Sequence, residues 1–246
     1  MTGSMILLGA IVLFSYTVGT SIGFGSSLIG ATFAAFFLPI DFVVPVLVPC
    51  NLVALGYLAV RHRRLIQKDM LLKRILPWTC VGLPVGLTVF LTMQTQNLSW
   101  ALGLFVVGIS LWELALMRRG DGGRNRGELT GPRSALVLCI GGFAQGLWAS
   151  GGPLIAYWGG RNIQGKGEFR ATLSGLWVVL NLILMIVHLA FGRITGQTVR
   201  TIAALIPVVV LSIFIAEYLH EKLPERIFRI AVYLLLCVSG LALILR

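Results

Sequence analysis

The amino-acid sequence predicts an all-α integral membrane protein. Of its 246 residues, 57% are hydrophobic and only 12% are charged, which is about half the charged fraction of an ordinary soluble domain. Several apolar runs approach or exceed the roughly 20 residues with which a helix crosses a bilayer. The short alternating segments that are typical of an outer-membrane barrel do not occur in the sequence. We therefore expect a multi-pass helical protein.

Eight apolar segments follow one another along the chain. They are residues 5–38, 42–60, 75–91, 100–117, 134–160, 171–191, 201–219 and 227–245. Six have the length of an ordinary span, whereas the first and the fifth are longer. A straight helix over residues 5–38 would measure about 51 Å at 1.5 Å per residue, and the hydrocarbon core is only about 30 Å thick.

Glycine-rich stretches interrupt both long segments. Gly19, Gly23 and Gly25 fall within seven residues of the first segment, and residues 141–153 of the fifth are similarly rich in glycine. Glycine is unfavourable in a helix interior because of its backbone freedom. Each long segment is therefore predicted to consist of two half-helices joined by an irregular turn.

The two interrupted segments indicate an internal repeat. Gly19-x3-Gly23 aligns with Gly142-x3-Gly146, and Asn51-Leu52 aligns with Asn181-Leu182. We predict three regions: a first membrane repeat over residues 1–117, a basic cytoplasmic linker over residues 118–133, and a second membrane repeat over residues 134–246.

The distribution of Lys and Arg favours a particular topology. These residues divide 14 to 6 between the two sides if both broken segments cross the membrane, and 17 to 3 if both re-enter as hairpins. The second division agrees better with the positive-inside rule. It gives each repeat three full transmembrane helices, so the repeats would insert in opposite directions, as in many transporters. We favour two hairpins, six full spans and both termini outside; eight spans stay an alternative.

The net charge of +11 does not indicate nucleic-acid binding, because Lys and Arg lie in short loops between apolar runs. The four cysteines lie in apolar stretches, without a Cys-x-x-Cys pair or clustered His, so we expect no metal and no cofactor. The stretch at 160–167 lacks the Ser/Thr and the preceding strand of a phosphate-binding loop. Lys166 and Arg170 are interpreted as loop charges or cations of a cytoplasmic vestibule. Nothing indicates an enzyme.

The two breaks are the candidate binding site. Non-helical backbone at membrane depth is tolerated only where protein or a water-filled cavity satisfies it, and paired breaks in two halves point to a substrate site. Helix N-termini bind small anions through free N–H groups. Close helix packing is the alternative explanation for the glycines. The candidates that follow the breaks are Gly25, Ser26, Ser27, Ser150, Gly151 and Gly152.

Polar and amphipathic side chains inside apolar runs add further candidates. Asn51 and Asn181 occupy equivalent repeat positions, and we expect them to flank the site. Gln145 and Trp148 lie just before the second break and are included with them. The alternative for each polar side chain is an interhelical hydrogen bond worth roughly 1 kcal/mol.

The arrangement resembles the TauE/SafE family of membrane permeases, the sulfite and organosulfonate exporters. The resemblance is carried by the glycine-rich breaks at 19–30 and 141–153, each early in its half and followed by a span with an Asn in mid-helix and then a basic or polar loop. It covers essentially the whole chain. The resemblance implies export of sulfite, or of a sulfonate such as sulfoacetate.

These observations predict a bacterial-type inner-membrane transporter that exports a small sulfur oxyanion by alternating access between inverted repeats. Its expected partners are the anionic substrate and the lipid bilayer, with a homodimer as a further option, because Gly82-x3-Gly86 offers a close-packing face. The same face could equally pack inside the monomer. Two other functions stay open: transport of another small anion or metabolite, and a membrane accessory protein without flux of its own.

Overall fold

The computed structural model describes residues 2–118, 128–222 and 225–245, and this part of the chain contains helices and no strand. Most of the predicted basic linker, residues 119–127, lies outside the described residues. A 3₁₀ turn, Arg63–Leu65, follows α3, and a π-helical turn, Met70–Ile75, leads into α4. The α-helices of the described chain are α1 Thr2–Ile22, α2 Ser26–Ala34, α3 Ile40–Arg61, α4 Leu76–Thr92, α5 Thr95–Arg118, α6 Gly131–Trp148, α7 Gly152–Asn162, α8 Lys166–Ala190, α9 Gly196–Lys222 and α10 Glu225–Ile244.

The length and hydropathy of the helices confirm the predicted all-α membrane fold. Large apolar side chains on their outer faces are exposed, among them Ile6, Val60 and Val238, as expected for surfaces in contact with lipid. α1 is long and apolar enough to cross a membrane, whereas the apolar part of α10, Val232–Ile244, is shorter than a membrane span. Six described stretches are long and apolar enough to cross a membrane: Met5–Ile22, Ile40–Arg61, Met70–Thr92, Thr95–Arg118, Lys166–Ala190 and Gly196–Leu219.

The first long segment is interrupted as predicted, and its two helices form a hairpin. α1 ends at Ile22 and α2 begins at Ser26. A β-carbon at Gly30 of α2 would lie 3.2 Å from Ser15 Oγ of α1, and the rings of Phe14 and Phe33 are 6.5 Å apart. Successive residues of α2 therefore meet progressively earlier residues of α1, so the two helices run antiparallel.

The second long segment folds back in the same way. A β-carbon at Gly141 of α6 would lie 2.7 Å from Ile155 Cγ1 of α7. Further from the turn, Trp158 Nε1 donates a hydrogen bond of 2.5 Å to Ser134 Oγ. These contacts establish only the antiparallel packing. Re-entry of the two hairpins, rather than crossing of the membrane, stays a prediction.

Gly142 and Gly146 of α6 have the role given by the alternative explanation, which is close helix packing. Residues 149–151 form the turn, whereas Gly142 and Gly146 have helical neighbours on both sides and lie within α6. They face Gly82 and Gly86 of α4, and a β-carbon on any of the four would meet the backbone of the opposite helix. The two small-residue motifs therefore bring α4 and α6 into close contact. The Gly82-x3-Gly86 face is used inside the monomer.

Helix packing has a regular pattern across the two halves of the chain. α4 packs along α6, α1 along α9, α5 along α10 and α3 along α8. If α1–α5 are matched in order with α6–α10, the first two of these pairs exchange and the other two map onto themselves. A two-fold relation between two five-helix halves would give this pattern. The opposite insertion of the halves stays a prediction.

Candidate functional site

The two helix breaks meet in the interior of the protein. A β-carbon at Gly152, the first residue of α7, would lie 3.3 Å from the backbone nitrogen of Gly25 at the start of α2. A cavity lies between the breaks. Eight of the ten residues predicted for the site line it: Gly25, Ser26, Ser27, Asn51, Gln145, Ser150, Gly152 and Asn181.

The N-terminus of α2 presents several hydrogen-bond donors at this cavity. Gly25 has a φ of 94°, a left-handed conformation that suits glycine. The helical hydrogen bonds of α2 start where Ile29 N–H donates to the Gly25 carbonyl at 3.0 Å. The N–H groups of Ser26, Ser27 and Leu28 therefore precede the first intrahelical donor, Ile29, and have no acceptor within α2. Together with the helix dipole, they make this end partially positive.

The N-terminus of α7 offers fewer donors. The Gly151 N–H donates to Gln145 Oε1 at 3.1 Å, and Pro153 has no N–H group to donate. Gly151 does not line the cavity, and a β-carbon on it would meet the Gly141 carbonyl. The two breaks occupy corresponding places in the fold, but the N-terminus of α2 presents more free N–H groups than that of α7.

Asn51 and Asn181 extend into the site from α3 and α8, two helices that pack on each other. Asn51 Nδ2 donates a hydrogen bond to Ser27 Oγ and so links α3 to α2. Asn181 Nδ2 donates to the Trp177 carbonyl one turn earlier in α8, at 2.8 Å. Each asparagine is only 2% exposed. The Oδ1 atoms of both residues, and Ser26 Oγ, are buried without a hydrogen-bond partner.

Trp177 is a cavity residue that the sequence analysis did not select. Its indole Nε1 donates to the Gly23 carbonyl at 3.1 Å, so it fixes the first break from α8. It also lines the cavity together with Asn181. The signal was present in the sequence, because Trp177 lies four residues before Asn181 and therefore on the same helix face.

Trp148, in contrast, lies outside the cavity lining. Its indole Nε1 donates to the Leu98 carbonyl of α5 at 3.2 Å, and its ring stacks on Phe105 with centroids 5.3 Å apart. Its backbone carbonyl accepts a hydrogen bond from Ser150 Oγ at 2.9 Å. Trp148 thus anchors the end of α6 against α5, next to the second break.

Arg170 lies near the first break and has a structural role there. Because α8 begins at Lys166, Arg170 lies in a helix and is only 8% exposed, rather than in a loop. Its Nε and Nη2 atoms donate to the Thr20 carbonyl at 3.2 and 2.9 Å. The guanidinium group therefore caps the C-terminal end of α1. Arg170 does not line the cavity, whose lining residues are all uncharged.

One of three comparisons with known proteins gives a match. The family described as "Sulfite exporter TauE/SafE" matches residues 7–243, which is nearly the whole chain. No curated protein and no solved structure gives a match. The family consists of membrane exporters of sulfite and related sulfur compounds, and the helices of this chain have the length and hydropathy of a multi-pass membrane protein. The chain belongs to the sulfite exporter TauE/SafE family.

Proposed function

We propose that this protein exports a small sulfur oxyanion, sulfite or an organosulfonate such as sulfoacetate, across the inner membrane. One observation carries the proposal: two helix breaks from different halves of the chain meet at one uncharged cavity that is lined by both polar and apolar residues. Membership of the family points to a sulfur compound as the substrate, and the cavity offers hydrogen-bond donors that would bind it.

The chemistry of the cavity suits a small anion. The N–H groups of Ser26, Ser27 and Leu28 converge on the negative charge, and the dipole of α2 adds partial positive charge. The hydroxyl groups of Ser26 and Ser27 are further donors. An anion held in this way makes no ion pair with a cationic side chain. It can therefore be released on the other side of the membrane without breaking one.

The arrangement of the two halves supports alternating access as the transport mechanism. Each half contributes one hairpin to the cavity, and a rocking motion of one half against the other would open the cavity to each side in turn. Export of an anion from a cell that is negative inside gains about 2.3 kcal/mol per charge for each 100 mV. The membrane potential is therefore a sufficient driving force.

Flux measurements in liposomes test the proposal. The purified protein is reconstituted, and the fluxes of sulfite, sulfoacetate, sulfate and acetate are measured under an imposed potential. We expect saturable flux of sulfite or sulfoacetate. This flux should be faster when the imposed potential is negative in the compartment that the anion leaves. Absence of flux for all four anions under either polarity would contradict transport and favour an accessory role.

The proposed topology has a separate test. Thr2→Cys and Arg246→Cys place a thiol near each terminus, and both should react with a membrane-impermeant maleimide added to intact cells. The unmodified protein, with its four native cysteines, gives the background. Labelling of both termini only after permeabilisation would contradict external termini and support eight crossings.

A further inference from the structure

We infer that Asn181 determines substrate specificity, because its side-chain oxygen accepts a hydrogen bond from an O–H or N–H group on the transported anion. The inference rests on the proposed function and deepens it. It selects a chemical class within the sulfur oxyanions: singly charged anions that carry a hydrogen-bond donor, such as hydrogensulfite and hydroxysulfonates.

The orientation of the Asn181 amide follows from its partner. The Trp177 carbonyl can only accept a hydrogen bond, so the atom of Asn181 that lies 2.8 Å from it must be the NH₂ group. The other amide atom is therefore the oxygen. This Oδ1 atom is buried without a partner in a residue that lines the cavity.

A buried acceptor without a partner lowers the stability of the protein, because it has lost its hydrogen bonds to water and gained none in return. A ligand in the cavity removes this cost only if it brings a donor. A fully deprotonated oxyanion has acceptor oxygens alone, and these would repel Oδ1. An anion with an O–H or N–H group can place its charge at the N-terminus of α2 and its donor at Asn181.

Asn51 differs from Asn181 in this respect. Its partner, Ser27 Oγ, is a hydroxyl that can donate or accept. Asn51 can therefore turn its amide by exchanging the direction of that hydrogen bond, and it can meet either a donor or an acceptor. The two asparagines occupy equivalent repeat positions, but only Asn181 is committed to a donor on the ligand.

The electrostatics of the cavity favour an anion over a metal cation as the ligand that contacts Asn181 Oδ1. Amide and hydroxyl oxygens also bind cations, but the partially positive N-terminus of α2 faces the same cavity and opposes a cation there. The lining residues carry no charged side chain. With only partial positive charges available, the cavity suits one negative charge better than two.

A matched pair of sulfonates tests the inference. 2-Hydroxyethanesulfonate and ethanesulfonate carry the same charge and differ by one hydroxyl group. Each is used as a competitor of sulfite flux in sodium-free liposomes that contain the unmodified protein. We expect the hydroxylated competitor to be effective at a concentration about five- to tenfold lower, since one net hydrogen bond contributes about 1 kcal/mol.

Two variants locate the effect. Asn181→Leu removes the acceptor, and the preference for the hydroxylated competitor should fall to about one. Asn162→Leu is the control, because Asn162 Nδ2 also donates to a tryptophan carbonyl four residues earlier, at 2.8 Å, and its Oδ1 is also unpartnered, but it lies outside the cavity lining. The preference should be unchanged in this variant.

The outcomes separate the inference from the proposed function. Equal competition by the two sulfonates in the unmodified protein would overturn the inference while sulfite transport stands. A preference that persists in Asn181→Leu, or disappears in Asn162→Leu, would also overturn it. Sulfite flux that requires sodium would indicate a cation at these oxygens instead. Absence of sulfite flux would overturn the proposed function and the inference together.

Discussion

Replacing Gly152 with leucine is expected to reduce sulfite flux by about a hundredfold or more. Gly152 is the first residue of α7, and a β-carbon there would already lie 3.3 Å from Gly25 N and from the Phe24 ring. The rest of a leucine side chain would extend into the space between the two breaks. Overpacking of this kind costs roughly 1–3 kcal/mol, and here the added side chain also occupies the volume proposed for the anion. Sulfite flux in liposomes measures the effect.

Gly160→Leu provides the matched control. Gly160 belongs to the same helix, but no atom lies within 4 Å of its β-carbon position. This variant should retain flux, and both variants should purify as monodisperse proteins at similar yield. If Gly152→Leu were folded and transported sulfite at the rate of Gly160→Leu, the cavity between the breaks would not be on the transport route.

The breaks and the paired asparagines are predictable from the sequence because their signals are local. A glycine-rich interruption of an overlong apolar segment favours a turn somewhere within it, and both turns occur, at residues 23–25 and 149–151. Asn51 and Asn181 stand out as amides within apolar runs. They line one cavity because α3 and α8, the helices that carry them, pack on each other.

The features that the sequence did not reveal depend on the partner helix. A glycine pair such as Gly142-x3-Gly146 has the same local pattern in a turn and in a packed helix, and only the presence of α4 beside it decides between them. Trp148 faces α5 rather than the cavity for a similar reason. The loop interpretation of Arg170, one of two alternatives, is wrong because the first residues of α8 are charged and hydropathy does not locate the start of such a helix.

A single methyl group on α6 is expected to prevent the protein from folding normally. In Gly142→Ala, the new β-carbon would fall on the Thr79 carbonyl of α4. The contact is with backbone, so no side-chain rotation relieves it, and α4 and α6 must move apart. We expect a loss of roughly 3 kcal/mol or more in stability, at the upper end of overpacking effects. Thermal unfolding in detergent and the yield of monodisperse protein measure it.

Gly108→Ala in α5 is the matched control, because it makes the same substitution in a helix at an exposed position with no atom within 4 Å of the β-carbon. Alanine is the better helix former by about 1 kcal/mol, so this variant should be as stable as the unmodified protein or more so. Equal stability of Gly142→Ala and Gly108→Ala would contradict the close contact of α4 with α6. The difference between them isolates helix packing from helix propensity. These glycines are needed even though they lie outside the turn, because α6 carries the second break on its C-terminal end and α4 holds α6 in place.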